Sequence, residues 1–293
     1  MELVGGQALI EGVMMRNKEN IAMAVKKGKK ILVKTKGLKR NFWFNIYILR
    51  GFLIFLEILI TGIKALIWSA NVQEDRKEEQ ISNFSIFLMI LFSFIVVILF
   101  FILLPYILTY LIGLKETSQP FLFNLIDGVI KIIIFIVYLL IISRSKEVFK
   151  LFQYHAAEHK TIACYESKEK LTASNIKKFP KEHPRCGTSF ILITLIVSIV
   201  LFALIPTIMK FFIPSITDLS LIKQKLIYFP IRLLIIPLIM GLSYEALRIS
   251  AKFKSNLIIK PLTFPGILLQ KITTQEPKDY MIKVAVKALE KII

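Results

Sequence analysis

The chain has 293 residues, 39 Lys and Arg against 20 Asp and Glu, a formal net charge of +19, and 55% hydrophobic residues; its mean hydropathy is +0.65. That composition excludes an ordinary soluble domain and a disordered chain, and two cysteines exclude a disulfide-stapled secreted scaffold. The remaining class is an α-helical integral membrane protein with basic water-facing segments.

In chain order, residues 1–46 read as a cytoplasmic N-terminal segment. Ile21–Val25 and Ile31–Thr35 flank Lys26–Lys30, which predicts a β-hairpin with a five-residue loop centred on Gly28. The first 41 residues lack the apolar run of a cleavable signal peptide, so none is expected. Residues 47–70 are apolar, but Arg50, Glu57 and Lys64 recur every seven positions and share one helical face. Such a face is costly for a lipid-facing span and cheap for a helix lying in the interface. Two transmembrane hairpins follow. Residues 84–143 hold the apolar stretches Phe84–Ile112 and Phe121–Ser143, and residues 189–247 hold Ser189–Phe212 and Leu226–Leu247. Between them, 144–188 is a His/Cys loop that opens with a helix from Arg144 to about Glu166. A short helix near Thr172–Phe179 follows, with Thr172 as its N-cap, and Pro180 and Pro184 then break the pattern. Residues 248–293 comprise a loop with Pro261 and Pro265-Gly266, then an amphipathic helix presenting Met281, Val284, Ala285, Ala288, Leu289 and Ile292, with Pro277 in its first turn.

Lys and Arg number 10, 10 and 9 in residues 1–46, 144–188 and 248–293, against 2, 1 and 2 in 71–83, 113–120 and 213–225. Cytoplasmic loops carry the Lys/Arg excess. The three rich segments fall on one side if 47–70 does not cross. The expected architecture is therefore about four transmembrane helices plus one interfacial or re-entrant helix, in a plasma membrane, with both termini cytoplasmic. Five spans are the alternative, with one basic segment outside. The charge fits a surface held against anionic lipid, and no nucleic-acid motif accompanies it, so nucleic acid is not an expected partner. Oligomeric state is left open.

All three His and both Cys lie between His155 and Cys186. His155 and His159 stand at i and i+4, one helical face, where they could grip one metal ion. Glu158 beside them could serve as a general base, in the order His-x-x-Glu-His of the inverted zinc peptidase motif. His183 and Cys186 supply a second imidazole and thiol just before the third long apolar stretch. A four-ligand structural site (His155, His159, His183, Cys186) and a three-ligand site with a water beside Glu158 both fit the spacing. So does a helix whose His pair merely bonds loop carbonyls. Cys164 reads as a small buried filler, and a Cys164–Cys186 disulfide is not expected on a reducing face.

Asp127 and Lys131, at i and i+4 in one span, suit an ion pair. Arg232 is placed to snorkel from the last span. Glu245 fits either a plain helix-end carboxylate or a partner of the His cluster. Gly5-Gly6-Gln7 matches the tripeptide of peptide-release factors, but nothing else in the chain does, and it reads as a turn.

These residues also carry a resemblance. Gly5-Gly-Gln-Ala-Leu-Ile-Glu-Gly-Val-Met-Met-Arg16, Phe152-Gln-Tyr-His-Ala-Ala-Glu-His-Lys-Thr161 and His183-Pro-Arg-Cys-Gly-Thr-Ser-Phe190 resemble three signatures of the bacterial YqhQ-like membrane proteins. Ser243-Tyr-Glu-Ala-Leu247 and Pro265-Gly-Ile-Leu-Leu-Gln-Lys-Ile-Thr-Thr274 match two further blocks. The family has no known function and carries the label of predicted metal-dependent enzymes. The resemblance implies a metal at His155, His159, His183 and Cys186 and adds Glu158, Glu11 and Arg16 as functional candidates. The chain departs from the family at Ala156, where a Gly is usual, and at Cys164, where another small residue is usual.

The leading expectation is a membrane-embedded metal-dependent enzyme, hydrolytic, using Zn2+ or another divalent transition metal. Glu158 would move the proton and Arg185 would hold an anionic group of a lipid or membrane peptide. A non-enzymatic scaffold or assembly factor with a structural metal is the alternative. A transporter is third, resting on Pro105, Pro206 and Pro237 as helix breaks.

Overall fold

The computed structural model describes residues 4–39, 42–74, 81–116, 118–252 and 260–293, with 251–252 and 260–263 described by backbone only. The chain opens with four strands, β1 (Gly5–Leu9), β2 (Gly12–Arg16), β3 (Asn20–Lys27) and β4 (Lys30–Gly37). They form an antiparallel meander in the order β1-β2-β3-β4. The expected β3–β4 hairpin is present, but Lys27 pairs with Lys30, so its connection is the two-residue Gly28-Lys29 and not a five-residue loop. Gly28 takes φ +57°, a conformation glycine adopts at no steric cost. β1 and β2 are additions to the sequence reading, and Gly5-Gly6-Gln7 is a strand, not a turn. Alternation does not reveal β2 because both faces of the sheet are covered. Val13, Met15, Ala22 and Ala24 face one core, and Met14, Ile21, Met23 and Val25 face another. β4 is the exposed edge, and Lys30, Lys34 and Lys36 keep it from pairing with another chain.

Helix α1 (Leu49–Gln73) closes the second core with Ala65, Leu66, Trp68 and Val72. Its first turns lie on α8 (Leu221–Lys252), where Gly51 and Gly241 let the backbones approach closely. There Arg50 donates twice to Glu245, at 2.6 Å each. Helix α2 (Asn83–Val97) runs through a π-helical stretch, Ile98–Leu103, into α3 (Leu104–Leu111). Pro105, which lacks an N–H, stands just beyond the widened turn. α4 (Pro120–Ile142) and α7 (Gly187–Phe212) pack where Ile199 lies against Gly128. Five helices are long and apolar enough to cross a membrane: α1, the α2–α3 rod, α4, α7 and α8. Helical structure continues through Pro206, Pro230 and Pro237.

α5 (Lys146–Glu166) is a separate helix, because the chain breaks at Ser143–Ser145 and Ser145 caps the new N-terminus by accepting from Val148 N. α6 (Ala173–Lys177) is capped by Thr172, as the sequence predicts. The expected loop around Pro265-Gly266 is instead α9 (Lys260–Thr273), with Pro265 inside it and Gly266 packed on Ser189 of α7. Leu269 packs with Leu139 and Leu192, apolar burial that offsets part of the cost of the lost proline hydrogen bond. α10 (Asp279–Leu289) buries the predicted face, and Ile292 beyond its end joins the same core. Lys278 is its N-cap, so Pro277 precedes the helix and does not sit in its first turn. The sheet, α5, α6 and α10 make one lobe, and its core holds Tyr154, Ile162, Ile176, Met281 and Leu289.

Candidate metal centre at the lobe–bundle junction

The three histidines and Cys186 converge where α5, the N-terminus of α7, the C-terminus of α9 and strand β1 meet. Helical spacing puts His155 and His159 on one face of α5, their ring centroids 4.3 Å apart. Cys186 arrives from the other side of the loop as the N-cap of α7, its Sγ accepting from Thr188 N at 3.4 Å. His155 Nε2 lies 3.1 Å from that Sγ. Ligand atoms of His155, His159 and Cys186 all fall within 4.8 Å of one another. Each imidazole is oriented through its Nδ1: His155 lies 2.8 Å from the Thr273 carbonyl and His159 2.6 Å from the Lys181 carbonyl. An Nδ1–H given to a carbonyl leaves Nε2 as the free lone pair, which is how metal-binding histidines are commonly held.

His183 stands beside this trio and not within it. Its ring is 5.7 Å from that of His159. Its Nδ1 accepts from Arg185 N at 3.3 Å, and its Nε2 is 3.6 Å from Glu166 Oε2. Gln270 of α9, fully buried, fixes the loop: its Oε1 accepts from His183 N at 2.7 Å, and its Nε2 donates to His183 O at 3.0 Å and to Ser189 Oγ at 2.9 Å.

Glu158 is buried, with Oε2 3.6 Å from His159 Nε2. Burial pushes its carboxyl pKa up, and His155 and His183 pull the other way. Burial also pushes the His159 imidazole down, against the opposing pull of Cys186, so the neutral ring is favoured. Gly6 faces Glu158 across the site, and a Cβ there would come within 2.7 Å of the carboxylate and of the Met14 carbonyl. These groups enclose a cavity of about 30 Å³, which also touches Arg185. That is room for one ion or one water. Arg185 pairs with Glu166, and burial lowers its guanidinium pKa.

The other residues singled out by sequence are engaged elsewhere. Glu11 pairs with Lys150 and accepts from Tyr154 OH at 3.2 Å. Arg16 holds Glu57 of α1 at 2.6 Å. Glu245 serves Arg50 and not the His cluster. Asp127 and Lys131 pair as expected, and Arg232 donates to Asn124 at 2.9 Å, turning into the bundle instead of snorkelling. Both cysteines are free thiols, Cys164 being buried in the lobe core. Sequence reasoning missed Gln270, Glu166, Gly6 and the carbonyls of Lys181 and Thr273. Gln270 had a signal, a polar residue beside Leu269 on the buried face of α9.

The profile of a protein family described as "Protein of unknown function (DUF1385)" matches residues 46–293. The chain belongs to this family. It is 31% identical to "Uncharacterized protein YqhQ" of Bacillus subtilis (strain 168), over 99% of this chain and 92% of that protein. That likeness also covers the sheet, which the family profile leaves out, and it agrees with the YqhQ-like resemblance of the signatures. No solved structure matches the chain.

Proposed function

We propose that the protein is a multi-pass protein of the bacterial plasma membrane, with four spans, a re-entrant α1 and both termini cytoplasmic. The support lies in how α1 is held. Glu57 reaches Arg16 on the sheet, and Leu66, Trp68 and Val72 pack on the sheet's face. The part of α1 that precedes these sheet contacts is Leu49–Leu56, roughly 12 Å at 1.5 Å per residue, against a hydrocarbon core of roughly 30 Å. The exposed aromatics Phe42, Trp43 and Tyr47 just before α1 suit the interface. Under this reading a cysteine introduced at Gln73 or Ser82 stays unlabelled by an impermeant maleimide in intact cells, while one at Gly113 reacts. Labelling of Gln73→Cys from outside would sink the re-entrant reading.

Within the lobe we infer a divalent transition-metal site built by His155, His159 and Cys186, serving a metal-dependent hydrolytic enzyme at the cytoplasmic membrane face. The observation that carries it is the pair of Nδ1–carbonyl contacts that leave both Nε2 atoms directed at the Cys186 region. Zn2+ or a similar ion, when bound, supplies Lewis acidity toward a carbonyl or phosphoryl oxygen. Glu158 would take a proton from a water in the cavity and return it to the leaving group, its carboxylate lying 3.6 Å from His159 Nε2. Arg185 would hold an anionic group of a lipid or membrane peptide by exchanging Glu166 for it. His183 would orient the loop beside the three residues that would hold the ion.

The test is elemental analysis of the untagged protein in detergent, together with turnover of a panel of phospholipids and membrane peptides followed by mass spectrometry. About one metal per chain is expected in the wild type and in Glu158→Gln, none in His155→Ala/His159→Ala, and turnover only in the wild type. A wild type without metal after incubation with Zn2+ removes the site. The small enclosed cavity favours a second reading, a structural metal that staples α5 to α7 in a non-enzymatic scaffold. There Glu158→Gln changes no activity, and His155→Ala lowers the melting temperature.

A further inference from the structure

A second, larger hollow lies on the lobe at the α4–α5 corner, away from the histidines. It has a volume of about 610 Å³ and is lined by Ser143, Arg144, Lys146, Phe149, Lys150, Gln153, Lys278 and Tyr280. Four of the eight lining residues are cations, and none is an acid. Lys150 is paired with Glu11. Arg144, Lys146 and Lys278 have no ion-pair partner among the described residues. The neighbouring Glu147 turns back to Ser145 Oγ at 3.0 Å, at its own helix N-terminus. Lys26 approaches from the sheet, its Nζ 5.0 Å from the Tyr280 ring. Gln153 Nε2 donates to the Glu276 carbonyl at 3.0 Å, fixing the wall between α5 and the start of α10.

The position of the hollow says what it would hold. α4 ends at Ile142, one residue before the hollow begins, and α5 starts at Lys146. The last turns of α4 expose Val137, Tyr138, Leu140 and Ile141, and Phe149 continues that apolar surface into the hollow itself. A ligand that satisfies both features has an anionic, hydrogen-bonding head and long apolar chains. A free phosphate would satisfy only the cations, and a neutral lipid only the apolar strip. Basic hollows at the cytoplasmic ends of membrane helices suit phospholipid head groups for this reason.

We infer that this hollow is a binding site for one anionic phospholipid, its phosphate between Arg144, Lys146 and Lys278 and its acyl chains along the last turns of α4. The inference rests on the membrane reading above and adds a defined site to it. The lipid would fix the corner between α4 and α5, and through α5 the placement of His155 and His159.

The experiment uses native mass spectrometry of the full-length protein in detergent. It is titrated with phosphatidylglycerol, with phosphatidylcholine of the same chains, and with inorganic phosphate. The wild type is compared with Arg144→Gln/Lys146→Gln/Lys278→Gln, all three positions being exposed enough to leave folding intact, with circular dichroism as the check. The wild type should retain phosphatidylglycerol at least about tenfold more tightly than phosphatidylcholine, and the triple variant should lose that preference, since each basic residue near an anionic surface contributes several-fold. Equal binding of the two lipids, an unchanged preference in the triple variant, or inorganic phosphate competing as well as the lipid would each overturn the site. Failure of the membrane reading is told apart by carbonate extraction of cell membranes, which would release the protein in that case alone.

Discussion

The lobe and the helical bundle solve the same problem, where to put apolar side chains, in opposite ways. The lobe buries them inside itself: every residue of β2 is buried, and α10 closes over the sheet with six buried side chains. The α2–α3 rod has no buried residue in its most apolar window, and Phe87, Leu91, Phe94 and Ile98 along it are exposed. Polar groups at depth occur in both regions: in the lobe Asn17 donates to the Ile292 carbonyl at 2.6 Å, and in the bundle Arg232 donates to Asn124 at 2.9 Å. Composition alone therefore does not locate the core. The solvent each region is built for does, and large-to-small substitutions should separate the two regions.

The largest effect is expected at the contact between β1 and the metal centre. Gly6→Val would drive a branched side chain into Glu158 and the Met14 carbonyl, and overpacking of that kind costs about 3 kcal/mol or more. Tryptophan fluorescence should show the lobe melting early or not folding, with metal content falling in parallel. Leu289→Ala opens a cavity among Met281, Ile282 and Ala285 and should cost about 2–5 kcal/mol. Gln270→Ala leaves the His183 N–H without its acceptor, a loss of about 1–3 kcal/mol. That variant should also bind metal more weakly, whereas Leu289→Ala should keep metal for as long as it stays folded. A thermal melt and elemental analysis on the same samples tell these outcomes apart.

The Arg50–Glu245 pair sits at the border, half-buried between α1 and α8. Arg50→Met alone should destabilise by about 1–3 kcal/mol because it strands a carboxylate, while Arg50→Met/Glu245→Met should return to near wild type. A double-mutant cycle on melting temperature reads this directly. A double variant as unstable as the single would mean that the pair positions α1 in a way apolar contact cannot replace.

How much of this was legible from sequence depended on the solvent each segment meets. The long apolar stretches announced their helices to within a few residues because a bilayer demands an uninterrupted run. The α10 face followed from its 3.6-residue period because one side is wet. β2 was hidden because its two faces meet two different cores. α9 was hidden because Pro265-Gly266 reads as a loop until Ser189 and Leu192 are seen packing on it. At the site, the i, i+4 histidines and their approach to Cys186 were legible. The roles of Gln270 and Gly6 depend on contacts between residues more than 80 apart in the chain, the two carbonyls are main-chain atoms that sequence does not distinguish, and the turning of His183 toward Glu166 depends on the path of the loop between them.

The smallest effect should come from Leu91→Ala on α2, and it is the sharpest test of the contrast. Leu91 is 46% exposed, and in a membrane or a detergent micelle that exposed surface meets acyl chains, not water. Truncating it removes apolar area from an apolar solvent, so the transfer term that makes Leu289→Ala costly is missing, and at a half-exposed position acyl chains can fill the space left behind. The melting temperature should move by less than a degree or two, within about 0.5 kcal/mol. A drop comparable to that of Leu289→Ala would mean that this face of α2 is covered by protein. Since the described residues leave the face bare, another subunit is the cover to look for, and cross-linking through a cysteine at Leu91 would then capture it.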